Sequence, residues 1–150
     1  MSEHETTLRI ERIIDAPIEA VFGAWTTREA MEHWYRDRPD DVVRVVELDV
    51  RVGGRYRVEF GPADAPSYVE RGEYLAIEPP HHLVMSESLD APAGTQWSQT
   101  TVTVSLEELD GKTRLVLVHA NFPSVERRDD AAGGWPGFID RIELLVTGGT

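Results

Sequence analysis

The sequence contains no cysteine, which excludes disulfides, thiolate metal ligands and cysteine nucleophiles and suits a reducing compartment. It also lacks long hydrophobic runs, since none approaches the roughly 20 apolar residues needed to cross a bilayer. The opening segment, from Met1 to Arg12, is charged and has no apolar core of the roughly 7–15 residues that mark an export signal. A cytoplasmic protein is expected. Positive charge is scarce: 15 Lys and Arg stand against 27 Asp and Glu, a net charge of −12. Such a surface repels phosphate backbones and anionic lipid, so neither nucleic acid nor a membrane is an expected partner.

Several chemical signatures are missing as well. There is no Gly-x-Ser-x-Gly elbow, no phosphate-binding glycine loop and no dinucleotide fingerprint. Gly133-Gly134-Trp135-Pro136-Gly137 does not replace them, because Trp and Pro stand where phosphate would need backbone N–H groups. The histidines are His4, His33, His81, His82 and His119, and none forms a two-His helical pair around a Glu. His81 and His82 are adjacent, and neighbouring strand residues point in opposite directions. No metal and no cofactor is expected.

What is present reads as one domain over residues 1–150, without repeats or linkers. Leu8 and Ile10 alternate with polar neighbours and predict a strand over Thr6–Ile14. Asp15 is placed to cap a helix over Ile18–Trp25, whose inward stripe is Ile18, Val21, Phe22 and Trp25. Thr27 can cap a second helix over Arg28–His33. Strand periodicity then takes over: Val42–Asp49, Arg55–Phe60, Tyr68–Ile77, His82–Ser88, Thr100–Leu109 and Lys112–Ala120. Gly53-Gly54 and Asp110-Gly111 are turn signals, the latter suited to the primed hairpin turns. Segments 61–67 and 89–94 are predicted as loops, and the ends, 1–5 and 147–150, as frayed.

The last segment turns helical. Trp135, Phe138, Ile139, Ile142 and Leu145 fall on one stripe, and Ser124 can cap an earlier stretch over Val125–Ala132. Gly133-Gly134 and Pro136 predict a kink or break between the two. Short connections between strands imply an antiparallel sheet, and only this terminal helix is long enough to cover its apolar face.

Arg12-Ile-Ile-Asp-Ala-Pro-Ile-Glu-Ala-Val-Phe22, followed by Trp25, resembles the opening of the START-like or Bet v 1-like (SRPBCC) superfamily. His33-Trp34-Tyr35 and Asp49-Val-Arg-Val-Gly-Gly-Arg-Tyr56 are similar to the branch of Hsp90 ATPase activator homologues, the AHSA1-like proteins. Gly72-Glu-Tyr74, Glu78-Pro-Pro80, Asp110-Gly-Lys-Thr113 and Gly134-Trp135 continue the likeness, which spans about Thr7 to Val146. The resemblance implies an α+β helix-grip fold, a curved antiparallel sheet of about seven strands holding a C-terminal helix with a cavity between them. It further implies a small apolar ligand, since members bind lipids, sterols or polyketides and some cyclise or hydrolyse them. The co-chaperone that names the branch carries its main stimulatory motif, Asn-x-Asn-Asn-Trp-His-Trp, in a separate N-terminal domain, and that motif does not occur here.

Two readings fit the aromatic set Trp34, Tyr56, Phe60, Tyr74 and Trp135 with Met85 and Phe138: a cavity lining that stacks on a flat ligand, or a filled core. The resemblance favours the lining, completed by Val58, Val102, Val104 and Leu117 from the strands and Ile139 and Ile142 from the helix. Glu87 continues the inward phase of Leu83 and Met85, and His119 that of Leu115 and Leu117. Both are expected near strand ends, in reach of water, where they could orient a ligand. Binding of a small hydrophobic or aromatic molecule is the leading expectation. The alternatives are a polyketide cyclase or hydrolase using Glu87 or His119 as base, and a co-chaperone-like interaction module, as a monomer or homodimer.

Overall fold

A computed structural model describes residues 3–64 and 68–148 of the chain. Strand β1 (Leu8–Ile14) is followed by helices α1 (Ile18–Thr26) and α2 (Arg28–Trp34). Then come strands β2 (Val42–Leu48), β3 (Arg55–Gly61), β4 (Tyr68–Glu78), β5 (His82–Asp90), β6 (Gln96–Leu109) and β7 (Lys112–Ala120). Helix α3 (Val125–Thr147) closes the chain. The strands form one antiparallel sheet in the order β1-β7-β6-β5-β4-β3-β2. This is a meander from β2 to β7, with β1 added beside β7. The fold is α+β, a sheet gripping its terminal helix.

The inward face of the sheet follows from period-2 burial. Tyr56, Val58 and Phe60 point in from β3, Leu83, Met85 and Glu87 from β5, and Leu115, Leu117 and His119 from β7. Helix α1 adds Ile18, Val21, Ala24 and Trp25, while Phe22 is only half-buried. Helix α2 adds Met31 and Trp34, whose indole N–H donates to the Ala24 carbonyl at 2.7 Å and joins the two short helices. Among the strands, α3 comes close chiefly to β1, where Arg12 reaches Asp140 at 2.5 Å and Glu143 at 3.3 Å. Further along, α3 packs on α1 and α2, so the sheet is covered by three helices rather than one.

Several expectations are corrected. Asp15 does not cap α1; Pro17 is the N-cap residue, and Asp15 is exposed. The Thr27 side chain caps nothing ahead of it and instead donates to the Gly23 carbonyl at 2.9 Å, closing α1 behind it. Helix α3 is not broken at Gly133-Gly134 or Pro136 but runs unbroken for 23 residues. Its start matches expectation, with Ser124 Oγ accepting the Arg127 N–H at 3.2 Å. A proline in a helix interior removes one hydrogen bond, and here the packing of Trp135 and Ile139 on either side outweighs that loss. Leu145 falls at the half-exposed end of the stripe. Gly61 ends β3 rather than opening a loop, β5 continues to Asp90, and residues 92–94 form a short 3-10 turn. Residues 65–67, 1–2 and 149–150 lie outside the described residues, while 3–6 form a 3-10 turn and Thr147 ends α3. Among the described residues no helix is long and apolar enough to cross a membrane.

Strand β6 starts four residues earlier than its pattern suggests. Its register against β5 shifts between the pairs Glu87–Thr100 and Leu89–Trp97, and Gln99 sits there at φ +60°. This bulge inserts one residue and reverses the parity of the strand beyond it. Trp97, which strict alternation from Thr100 would point outward, is thereby turned in and buried.

Gly72 lets β4 and β5 approach closely. A Cβ there would lie 1.9 Å from the Ser86 carbonyl oxygen and 2.8 Å from the Tyr56 ring, whose hydroxyl donates to that same carbonyl. Overpacking typically costs about 1–3 kcal/mol, and this clash involves backbone that cannot step aside. Gly72→Ala should therefore lower unfolding stability by about 3 kcal/mol, read as a lower urea midpoint at unchanged m-value. A loss under about 0.5 kcal/mol would contradict the packing described.

Candidate functional site

The space between sheet and α3 divides in two. Toward the C-terminal half of α3 it is filled: Ile139 and Ile142 are fully buried, together with Ile14, Leu115 and Leu117 from the sheet. Toward the N-terminal half a cavity of about 290 Å³ remains. Its floor is formed by Glu70 on β4, Glu87 on β5 and Trp97 on β6. Phe60, Tyr68 and Leu89 form one wall, and Ala131, Trp135 and Phe138 of α3 the other. The rim consists of the exposed residues Asp37, Asp130, Gly133 and Gly134. Asp37 is held there by the buried Asp41 carboxylate, which accepts from the N–H groups of Asp37 and Arg38 at 2.9 Å each. At Gly133 and Gly134 an added Cβ would meet nothing within 4 Å, so the rim is open on that side.

The floor is polar and water-poor. Glu70 is 4% exposed, Glu87 3% and His119 0%. These values correct the expectation that Glu87 and His119 reach water at strand ends. The Trp135 N–H donates to His119 Nδ1 at 3.0 Å, so the ring proton belongs on Nε2. Nε2 lies 2.8 Å from Thr100 Oγ1 and 3.6 Å from Glu87 Oε1. Thr100 Oγ1 is 2.7 Å from the Glu87 carbonyl and 2.9 Å from Glu87 Oε1, and the Trp97 N–H donates to the same oxygen at 2.5 Å. A chain of hydrogen bonds thus runs from α3 to the carboxylate on the cavity floor.

The two carboxyl groups titrate in opposite directions. Burial pushes Glu70 well up, and the adjacent charge of Glu87 pushes it further, so Glu70 keeps its proton. Burial acts on Glu87 in the same sense. There it is outweighed by hydrogen bonds from Glu70, His119 and Trp97, which pull Glu87 below the ordinary carboxylate range. One proton serves the pair, and Glu87 is the ionised member. A carboxylate held this way is a weak base, so the geometry suits Glu87 to holding a ligand group rather than abstracting a proton.

Of the residues expected to line a cavity, the structure brings Phe60, Glu87, Trp135 and Phe138 to it. Tyr56, Val58, Tyr74, Met85, Val102, Val104 and Leu117 lie in the packed core of the sheet, and Trp34, Ile139 and Ile142 in the packing of the helices. His119 stands behind the floor, touching the cavity only through its hydrogen bonds. Sequence reasoning missed Glu70, Trp97 and Tyr68. Glu70 is in phase with inward-facing Tyr74 four residues on, a signal open to discovery; Trp97 is hidden by the bulge. His33 and His81 are exposed, and no group of three His, Cys, Asp or Glu among the described residues is arranged to hold a metal.

Residues 15–147 match the family model described as Activator of Hsp90 ATPase homolog 1-like protein. No curated protein matches the sequence significantly. Among solved structures, the chain is similar to a protein from Chromobacterium violaceum at 26% identity and a TM-score of 0.81, covering 94% of this chain and 96% of that one. A protein from Arthrobacter aurescens superposes with a TM-score of 0.80 at 21% identity, covering 99% and 90%. An AHSA1-like protein from Aeromonas hydrophila does so at 0.77 and 23%, covering 95% and 94%. The last two show likeness of fold alone.

The opposed carboxyls give a test by pH. A group raised in the folded state contributes stability that is complete below its free value of 4.5 and is lost as pH climbs toward its folded value. Glu70→Gln keeps a donor facing Glu87 but cannot ionise. Its stability relative to the parent should therefore rise by about 1.4 kcal/mol per pH unit above pH 4.5, in urea titrations at several pH values. Parallel pH profiles would show that Glu70 is not held neutral.

Proposed function

Because the chain belongs to the family of Activator of Hsp90 ATPase homolog 1-like proteins, we propose that it binds a small, largely apolar or aromatic molecule between the sheet and α3. The single observation that carries this reading is the unfilled space of about 290 Å³ with aromatic walls and a polar, hydrogen-bonded floor. Beside a fully packed half-core, a recess of this size that opens at its rim has the form of a ligand site.

Volume bounds the occupant. At the roughly 30 Å³ that each water takes in the liquid, the space holds about ten non-hydrogen atoms. The recess therefore suits a one- or two-ring body, with any longer portion of a ligand leaving past the open rim at Gly133 and Gly134. Burying roughly 200 Å² of apolar ligand surface would contribute about 5 kcal/mol before the costs of association. Phe60, Phe138 and Trp135 supply that contact, and Glu70 and Glu87 fix the orientation of a polar group.

Trp97 and Trp135 make the reading measurable, since both border the space. Titration of the purified protein with a library of one- and two-ring compounds should change its intrinsic fluorescence saturably, and native mass spectrometry should find the same compounds bound. Ala131→Phe fills the cavity from α3 and should weaken binding by at least about tenfold while changing stability by less than about 1.5 kcal/mol. Binding unaffected by the filled cavity, or no saturable response from any compound, would refute the proposal.

A further inference from the structure

The floor of the cavity holds two buried carboxyl groups, and the nearest candidate counter-ion, His119 at 3.6 Å from Glu87, has its Nδ1 occupied as acceptor by the Trp135 N–H. Glu70 and Glu87 share one proton, and the ring of His119 accepts from Trp135 on one nitrogen, leaving it a single proton on the other. The remaining groups that reach Glu87, from Trp97 and Thr100, are neutral donors. Buried charges in proteins are ordinarily paired or bound to metal, and a carboxylate held only by neutral donors still attracts a cation strongly where the local dielectric is low. This carboxylate is 3% exposed and is solvated by dipoles alone.

The rest of the lining points the same way. None of the residues bordering the cavity is Lys, Arg or His, and two further carboxylates, Asp37 and Asp130, stand at its rim. Asp130 is already paired with Arg127 at 2.5 Å. Asp37 meets Arg141 through its main-chain carbonyl, at 2.9 Å, and not through its carboxylate. The walls are aromatic, and ring faces attract cations placed within about 6 Å. A metal ion does not fit, since the described residues offer no set of three ligands.

We propose that the occupant carries a positive charge: a protonated organic amine with a compact aromatic or apolar body, its ammonium group seated on Glu87 and Glu70 and its body against Trp97, Trp135 and Phe138. This rests on the reading of the cavity as a ligand site and names the class of ligand. The amine supplies the counter-charge that the floor lacks, and its N–H donors meet carboxylate oxygens that a quaternary ammonium could only approach. Electrostatics inside a water-poor site are little screened, so the preference for charge is local and not a by-product of the net charge of −12.

The test uses probes matched in size to within one non-hydrogen atom, on the full chain at neutral pH: 2-phenylethylamine, the neutral 2-phenylethanol and the anionic phenylacetate, each titrated by tryptophan fluorescence and calorimetry. The amine should bind at least about tenfold more tightly than the alcohol, with the carboxylate weakest, and the order should survive high salt. Glu87→Gln should bring amine and alcohol within about threefold of each other, whereas Glu107→Gln, which removes an exposed carboxylate at the far end of β6, should leave the preference in place. The series on the unaltered protein decides the matter even if Glu87→Gln fails to fold. Alcohol or carboxylate binding as well as the amine would overturn the charge assignment and leave the cavity reading standing. Failure of all three to bind would overturn the charge assignment, while the cavity reading falls only if the whole library fails as well. Nitrogen-15 chemical shifts showing both His119 nitrogens protonated would also overturn it, because the floor would then hold its own cation.

Discussion

The hydrogen bond from the Trp135 indole to His119 is the join on which the interior depends. It is a fully buried polar link between α3 and the sheet, and it selects the tautomer of the imidazole. Through Nε2 and the Thr100 hydroxyl that choice reaches Glu87, so the orientation of the cavity floor is set from the helix above it. The indole also stands within an aromatic cluster, with Trp25 and Phe138 beside it and Phe122 against the imidazole. Breaking that bond would leave a buried donor without its acceptor, at a cost of about 1–3 kcal/mol.

Much of this was legible in the residues. Alternation placed β3, β5 and β7 almost to the residue, because each buries one face and tolerates no slip of register. Asp110-Gly111 named its hairpin correctly for a local reason: φ is positive at both positions. The inward phase of Glu87 and His119 was readable too. Their complete burial was not, since it depends on α3 lying over them.

The misreadings have physical causes as well. Gly133, Gly134 and Pro136 carry low helix propensity, yet tertiary packing of Trp135 and Ile139 decided the outcome. The aromatic residues were visible as a set, but composition does not say which of them touch each other and which border a void. Tyr56 and Tyr74 pack ring to ring at 5.5 Å within the sheet, whereas Phe60 meets Tyr68 in a stacked pair at 4.8 Å beside the cavity. Trp97 was out of reach because one additional residue in β6 changes which face it serves, and no side chain announces a bulge.

The uneven filling beneath α3 separates two burdens that most interiors place on the same side chains. Cohesion of the molecule rests on the end where Ile139 and Ile142 meet Ile14 and Leu115, and where Arg12 ties the helix to the outermost strand. The other end carries the opening instead, and there the helix is tied down by the Trp135–His119 hydrogen bond rather than by close apolar packing. Relatives sharing barely a fifth of their residues nonetheless keep the same scaffold.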